Sequence, residues 1–204
     1  MCFVVLMSSY RPTRHKWAIQ VQEKCAIPIY HKIWQGCEIE EVDKIGMEGN
    51  DFAKRRDFSG LDKIILYRGN EIHIAQRFRG KDPRRPSYDF SLRYITPGLE
   101  GAKEAEYFKL IEAYKQDLWF PNKYAWGVTK NGQSDSGFTE FYIYNVRTLL
   151  KAIVDGDIKS LGVYSNGDGS NGIYFKSEDL KPYIFWGLPQ KITNFKGQTN
   201  LGMF

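Results

Sequence analysis

The stretch LDKIILYRGNEIHIAQRFRG, Leu61–Gly80, sets one aspartate at the head of an apolar run, a Gly-Asn pair in the middle, and Gln76, Arg77 and Arg79 at the end of a second run. An acid at the base of one strand with cations on the next suits metal-assisted phosphodiester cleavage. That chemistry needs carboxylates converging on a divalent ion, which lowers the pKa of a water, and a cation beside the scissile phosphate to steady the pentavalent state. Residues two apart on a strand share a face. His73, Ala75, Arg77 and Arg79 therefore go together, and Ile72, Ile74, Gln76 and Phe78 form the opposite face. The expectation is a hairpin with one dry, core-covering side and one wet side.

The elements around this stretch must hold it in place. Apolar residues at mixed spacing from His15 to Trp34 predict a helix strained or broken near Pro28. CEIEEVDKI predicts a strand leading into the glycine-bearing loop GMEGNDFAKRRDFSG. Two runs rich in branched residues around RGNE predict a β-hairpin. In YDFSLRYIT, Tyr88, Phe90, Leu92 and Tyr94 alternate with Asp89, Ser91 and Arg93 as a further strand. AKEAEYFKLIEAYKQ is the clearest helix, with Ala105, Phe108, Ile111 or Leu110, and Tyr114 recurring every three to four residues. KYAWGVTK and GFTEFYIYNV read as strands and VRTLLKAIV as a helix. This order points to an α/β protein, a mixed central β-sheet flanked by helices. No repeat or linker divides the chain, so residues 1–204 read as a single domain, with a core over about 15–155 and a looser C-terminal extension over 156–204. Asn166, Asp168 and Ser170 lack the glycine and closing glutamate of a calcium loop and predict a mobile hairpin turn.

Composition narrows the function. With 42% hydrophobic and 15% aromatic residues, the 204-residue chain can build a substantial core. Its net charge is only +5, but Lys54–Arg93 holds eleven Lys/Arg against five Asp/Glu, a net +6 that leaves the other 164 residues at −1. A basic surface on a near-neutral body points to an anionic partner, of which nucleic acid is the commonest. Cys2, Cys25 and Cys37 show no CxxC pairing, and a reduced, cytoplasmic setting is the default. The opening MCFVVLM is too short for a membrane span and lacks a preceding positive charge, and either Met1 or Met7 could be the start. His15, His31 and His73 have no metal-ligand spacing, there is no GxSxG, and the aromatics of the second half fall mostly at core spacings.

In their order and compact spacing, the pieces SGLDKIILYRGNEIHIAQRFR, DFSLRY and AEYFK, covering about Leu61–Lys109, resemble the PD-(D/E)XK nuclease superfamily. The likeness is to members with a GID element, a short hairpin, a strand ending QEKFR, a DFTIRY segment and a helix opening E-F-F-K. The resemblance implies a restriction-endonuclease-like core and a DNA endonuclease dependent on Mg²⁺ or Mn²⁺, with double-stranded DNA as partner and a homodimer cutting both strands. It implies Asp62 and Glu106 as metal ligands with help from the amide of Gln76, and Arg77 in place of the family's lysine. Arg79, Arg93 and the loop residues Arg55, Arg56, Arg84 and Arg85 are then the DNA grip.

Two departures bear on activity. Ala75 stands where the motif needs Asp or Glu, and an alanine cannot ligate a metal. Either a bulge re-aims Gln76, or a carboxylate comes from Glu106 or from the acidic block Glu38–Asp43, or the site is catalytically inactive. Arg77 clamps phosphate through two hydrogen bonds but cannot transfer a proton near neutral pH. The competing expectation is therefore an inactive protein that binds nucleic acid or another partner on the same fold.

Overall fold

In the computed structural model, residues 12–42, 61–80, 90–95, 105–117, 121–165 and 171–188 are described. A six-stranded sheet runs in the order β1 (Glu38–Glu41), β2 (Lys63–Tyr67), β3 (Asn70–Gly80), β5 (Lys123–Thr129), β6 (Phe138–Asn145), β9 (Ile184–Leu188). All its pairs are antiparallel except β3 with β5, which are parallel. A parallel pair needs a crossover. Here it carries β4 (Phe90–Ile95) and the helix α3 (Glu106–Lys115). A three-stranded antiparallel sheet pairs β4 with β8 (Asn171–Phe175) and β8 with β7 (Ser160–Ser165). The protein is thus mixed α/β, and among the described residues no helix is long and apolar enough to cross a membrane.

The β2–β3 hairpin forms as its sequence predicts. Tyr67 faces Asn70, so the loop is Arg68-Gly69, both at positive φ (51° and 78°). This left-handed pair matches the twist of the flanking strands, and glycine adopts it without strain. β5 is buried from Tyr124 to Thr129, as a strand flanked on both edges and covered on both faces must be. Gly127 leaves room there for aromatic rings. A Cβ at this position would lie 2.8 Å from Phe138 Cε1 and 3.0 Å from Phe141 Cδ2. Gly127→Ala is therefore expected to destabilise by about 1–3 kcal/mol through overpacking, read as a lower urea midpoint at unchanged m-value.

Three sequence expectations change. The helix expected to break at Pro28 deviates just before it. After α1 (Pro12–Val21) comes a π-helical turn, Gln22–Ala26, in which the Ile27 N–H donates to the Gln22 carbonyl, and then α2 (Ile27–Ile33). Proline has no N–H and its ring crowds the carbonyl four residues back, and the widened turn makes space at that point. The DFSLRY strand, β4, belongs to the second sheet, because both edges of β3 are already taken by β2 and β5. The segment after Gly156 is woven into both sheets, with β7 and β8 in the smaller and β9 on the edge of the larger. Residues Asn166, Asp168 and Ser170 lie outside the described residues.

The core has two main parts, one on each face of the large sheet. Helices α1 and α2 cover one face with Val21, Ala26, Tyr30 and Trp34 over Ile65, Ile74 and Phe141. Helix α3, helix α4 (Val146–Asp155) and the small sheet cover the other with Leu110, Leu149, Leu150, Phe90 and Phe175 over Ala75, Tyr124 and Trp126. Helix α4 follows from Val146, Leu149, Leu150 and Ala152 on one stripe and stops at Gly156, whose φ of 83° ends it. The face of β3 expected to be wet is therefore covered, and Ala75 is 2% exposed within that core.

Candidate functional site around Glu106

Strand alternation on β3 decides which residues meet. The register from Ile74–Lys123 to Gly80–Thr129 runs without a shift. No bulge re-aims Gln76, which stays on the face of α1 and α2. There the Tyr30 hydroxyl donates to Gln76 Oε1 at 3.1 Å, and Gln76 Nε2 donates to Gln22 Oε1 at 2.6 Å. The side chain of Gln76 is thus turned away from Arg77, held by the π-helical turn that Gln22 opens.

On the other face, Arg77 reaches α3. Its Nη1 donates to Glu106 Oε2 at 2.8 Å, and the two side chains are only 16% and 21% exposed. The same oxygen accepts the backbone N–H of Arg93 at 2.8 Å, and Oε1 accepts the Tyr124 hydroxyl at 2.6 Å. As the first residue of α3, Glu106 also sits where the helix dipole favours an anion. One carboxylate therefore ties together β3, β4, β5 and α3. Burial disfavours the charge on Arg77, but Glu106 outweighs it, supported by Tyr124, and the guanidinium is held above its usual range. Burial pushes the Tyr124 hydroxyl well up, the Glu106 charge pushes it further against the pull of Arg77, and Asp62 adds to the rise. Tyr124 is a locked hydrogen-bond donor.

Asp62 precedes β2 and completes its ladder. Its N–H donates to the Ile74 carbonyl at 2.9 Å, its carbonyl accepts the Val42 N–H at 3.2 Å, and its Oδ2 accepts the Gln76 N–H at 2.6 Å. A side-chain oxygen thus takes a ladder donor of β3 where β2 gives out. Burial pushes the Tyr30 hydroxyl well up, and the Asp62 charge adds to that rise.

The remaining basic residues divide. Arg79 donates from Nη1 to the Tyr174 hydroxyl at 3.1 Å, with its guanidinium 5.2 Å from that ring's centre. The Arg93 side chain is exposed. Arg55, Arg56, Arg84 and Arg85 lie outside the described residues. In the acidic block, Glu41 pairs with the buried Lys63 at 2.8 Å, while Glu38 and Glu40 are exposed on the edge strand β1. Asp43 is outside the described residues.

A Mg²⁺ or Mn²⁺ ion needs several oxygens free to turn into one coordination sphere. Glu106 has both oxygens engaged, one by a guanidinium that cannot lose its charge, and Asp62 has one oxygen on a strand N–H. Among the described residues no three His, Cys, Asp or Glu side chains are grouped to hold an ion. As arranged, this donor set does not fit a divalent metal.

Sequence reasoning missed Tyr124, Tyr174 and Gln22. Tyr124 carried a usable signal, since its alternation with Trp126 puts both on one face of a strand. That it lies beside Ala75 follows only from the parallel register. No family model, no curated protein and no solved structure matches the chain.

Proposed function

We propose that the protein binds nucleic acid through its phosphate backbone at the basic end of the large sheet, without hydrolysing it. The observation that carries this reading is the meeting of Arg77 and the Arg93 backbone on one oxygen of Glu106, which sets the arginine-bearing ends of β3 and β4 side by side. The described chain gives way to residues 43–60 at Val42, beside Asp62, and to residues 81–89 where β3 ends at Gly80. These two intervals and their flanks carry Lys54, Arg55, Arg56, Lys81, Arg84 and Arg85. Backbone contacts of this kind position a protein on nucleic acid and release counterions, so affinity falls with salt. The loss of hydrolysis follows from Ala75 and from the engagement of both Glu106 oxygens.

The test is a binding titration on DNA between 50 and 200 mM salt. If about four phosphates are contacted, affinity falls by roughly a hundredfold across that range. Arg93→Glu, whose backbone N–H still reaches Glu106, lowers affinity at each salt concentration and flattens the slope. Salt-insensitive binding, or an Arg93→Glu variant equal to the parent, overturns the reading.

One observation favours a second reading, the metal-dependent endonuclease implied by the family resemblance: Asp62 accepts the Gln76 N–H and Glu106 accepts the Arg77 guanidinium, so the two acids engage consecutive residues of β3. It requires nicking of DNA with Mg²⁺ or Mn²⁺ that Asp62→Ala abolishes. Binding without nicking under either ion leaves the first reading standing.

A further inference from the structure

Tyr94, Tyr107 and Phe108 form a closed aromatic triad beside the Arg77–Glu106–Arg93 junction. Ring centres lie 4.8 Å apart for Tyr94–Phe108, 5.2 Å for Tyr107–Phe108 and 5.6 Å for Tyr94–Tyr107. All three rings are half-buried, and Tyr94 and Tyr107 rest on the core beneath α3 and β4. The triad is anchored in sequence as well as in space. Tyr94 follows the exposed Arg93, and Tyr107 and Phe108 follow Glu106 in the first turn of α3.

We infer that this triad is a stacking platform for unpaired bases, which makes single-stranded nucleic acid, or a duplex with an unpaired segment, the preferred ligand. The inference rests on the nucleic-acid reading above. Binding of single strands combines a cationic track for the backbone with aromatic faces on which bases stack, and it tolerates any sequence because every base has a π-face. Both parts are adjacent here. Arg93, exposed on β4 one residue before Tyr94, supplies the charge, and the three packed rings supply the stacking surface. In an intact duplex the faces of internal bases are covered by their neighbours, so the platform has nothing to stack on. The charge beside the rings selects a polyanion over an apolar peptide.

The experiment compares three probes of equal length on the full chain: oligothymidylate, the same backbone without bases, and a duplex. Phe108→Leu and Tyr94→Leu keep apolar volume and remove a π-face. Each is expected to weaken oligothymidylate binding about tenfold and to leave the abasic and duplex probes unchanged, while Phe108→Trp keeps parental affinity. Unfolding midpoints of the variants check that the fold is kept. If Phe108→Leu and Tyr94→Leu bind oligothymidylate as the parent does, or if all three probes weaken alike, the platform is wrong and backbone binding alone stands. If the parent binds none of the probes at low salt, the nucleic-acid reading fails and the platform with it.

Discussion

Glu106→Ala is expected to remove about 3–5 kcal/mol of folding stability, the cost of breaking one partner out of a buried ion pair. The size comes from what is left behind. Arg77 keeps a charge that burial opposes and that no pH in the working range removes, while the Tyr124 hydroxyl and the Arg93 N–H lose their acceptor. Water can reach part of the site, since both side chains of the pair retain some exposure, so the lower half of the range is the better expectation for Glu106→Gln, which still accepts hydrogen bonds. The double variant Arg77→Met with Glu106→Met should recover the part of the loss that comes from the stranded Arg77 charge, because two apolar chains of similar volume carry no desolvation cost, while Tyr124 and the Arg93 N–H still lack their acceptor. Urea unfolding of the single and double variants, closed as a cycle, gives the coupling. A Glu106→Ala protein within about 0.5 kcal/mol of the parent, the scale of an ordinary surface substitution, would show that the junction does not hold the strands together.

That junction separates what the sequence makes legible from what it does not. The β2–β3 hairpin can be read because branched residues alternate on either side of a turn that glycine stabilises, and α3 and α4 because their apolar residues return every three to four positions. These are local patterns, and local physics writes them. The assignment of β4 to a second sheet is not local. It depends on β5 taking the open edge of β3, a pairing made across more than forty intervening residues. Likewise, alternation correctly groups Ala75 with Arg77 and Gln76 with Ile74, but it is silent on what covers each group. The odd-numbered face looked wet because it ends in arginines. It is covered because α3, α4 and the small sheet all return to that side.

The candidate site divides along the same line. Asp62, Arg77 and Glu106 stand out by type and order, and the structure brings the last two into direct contact with Asp62 nearby. Tyr124 holds the second oxygen of Glu106, and only the parallel register puts it beside Ala75. Gln76 could be given its face but not its partners, because Gln22 reaches it through a π-helical turn that no simple periodicity announces.

Ala75→Glu tests whether the missing carboxylate is a vacancy or a filled position. If Ala75 lined an open metal site, the substitution would supply a ligand, and Mn²⁺ would raise the melting temperature of the variant. The structure leads to the opposite result. Ala75 is 2% exposed and belongs to a core with Phe90, Leu92, Leu110 and Tyr124. A glutamate there overpacks that core, at about 1–3 kcal/mol, and buries a charge. Arg77 shares the face but is already neutralised by Glu106. The variant is therefore expected to lose more than about 3 kcal/mol, or to fail to fold, since an unpaired buried charge costs several kcal/mol. Ala75→Leu separates the two contributions, because it overpacks without charge and should cost only the smaller part. Full stability of Ala75→Glu together with a rise in melting temperature on adding Mn²⁺ would overturn this account and return the site to metal chemistry. The expected outcome places Ala75 among the residues that hold the small sheet against the large one, so that the position which most weakens the case for catalysis is also one that keeps Arg77, Glu106 and Arg93 together.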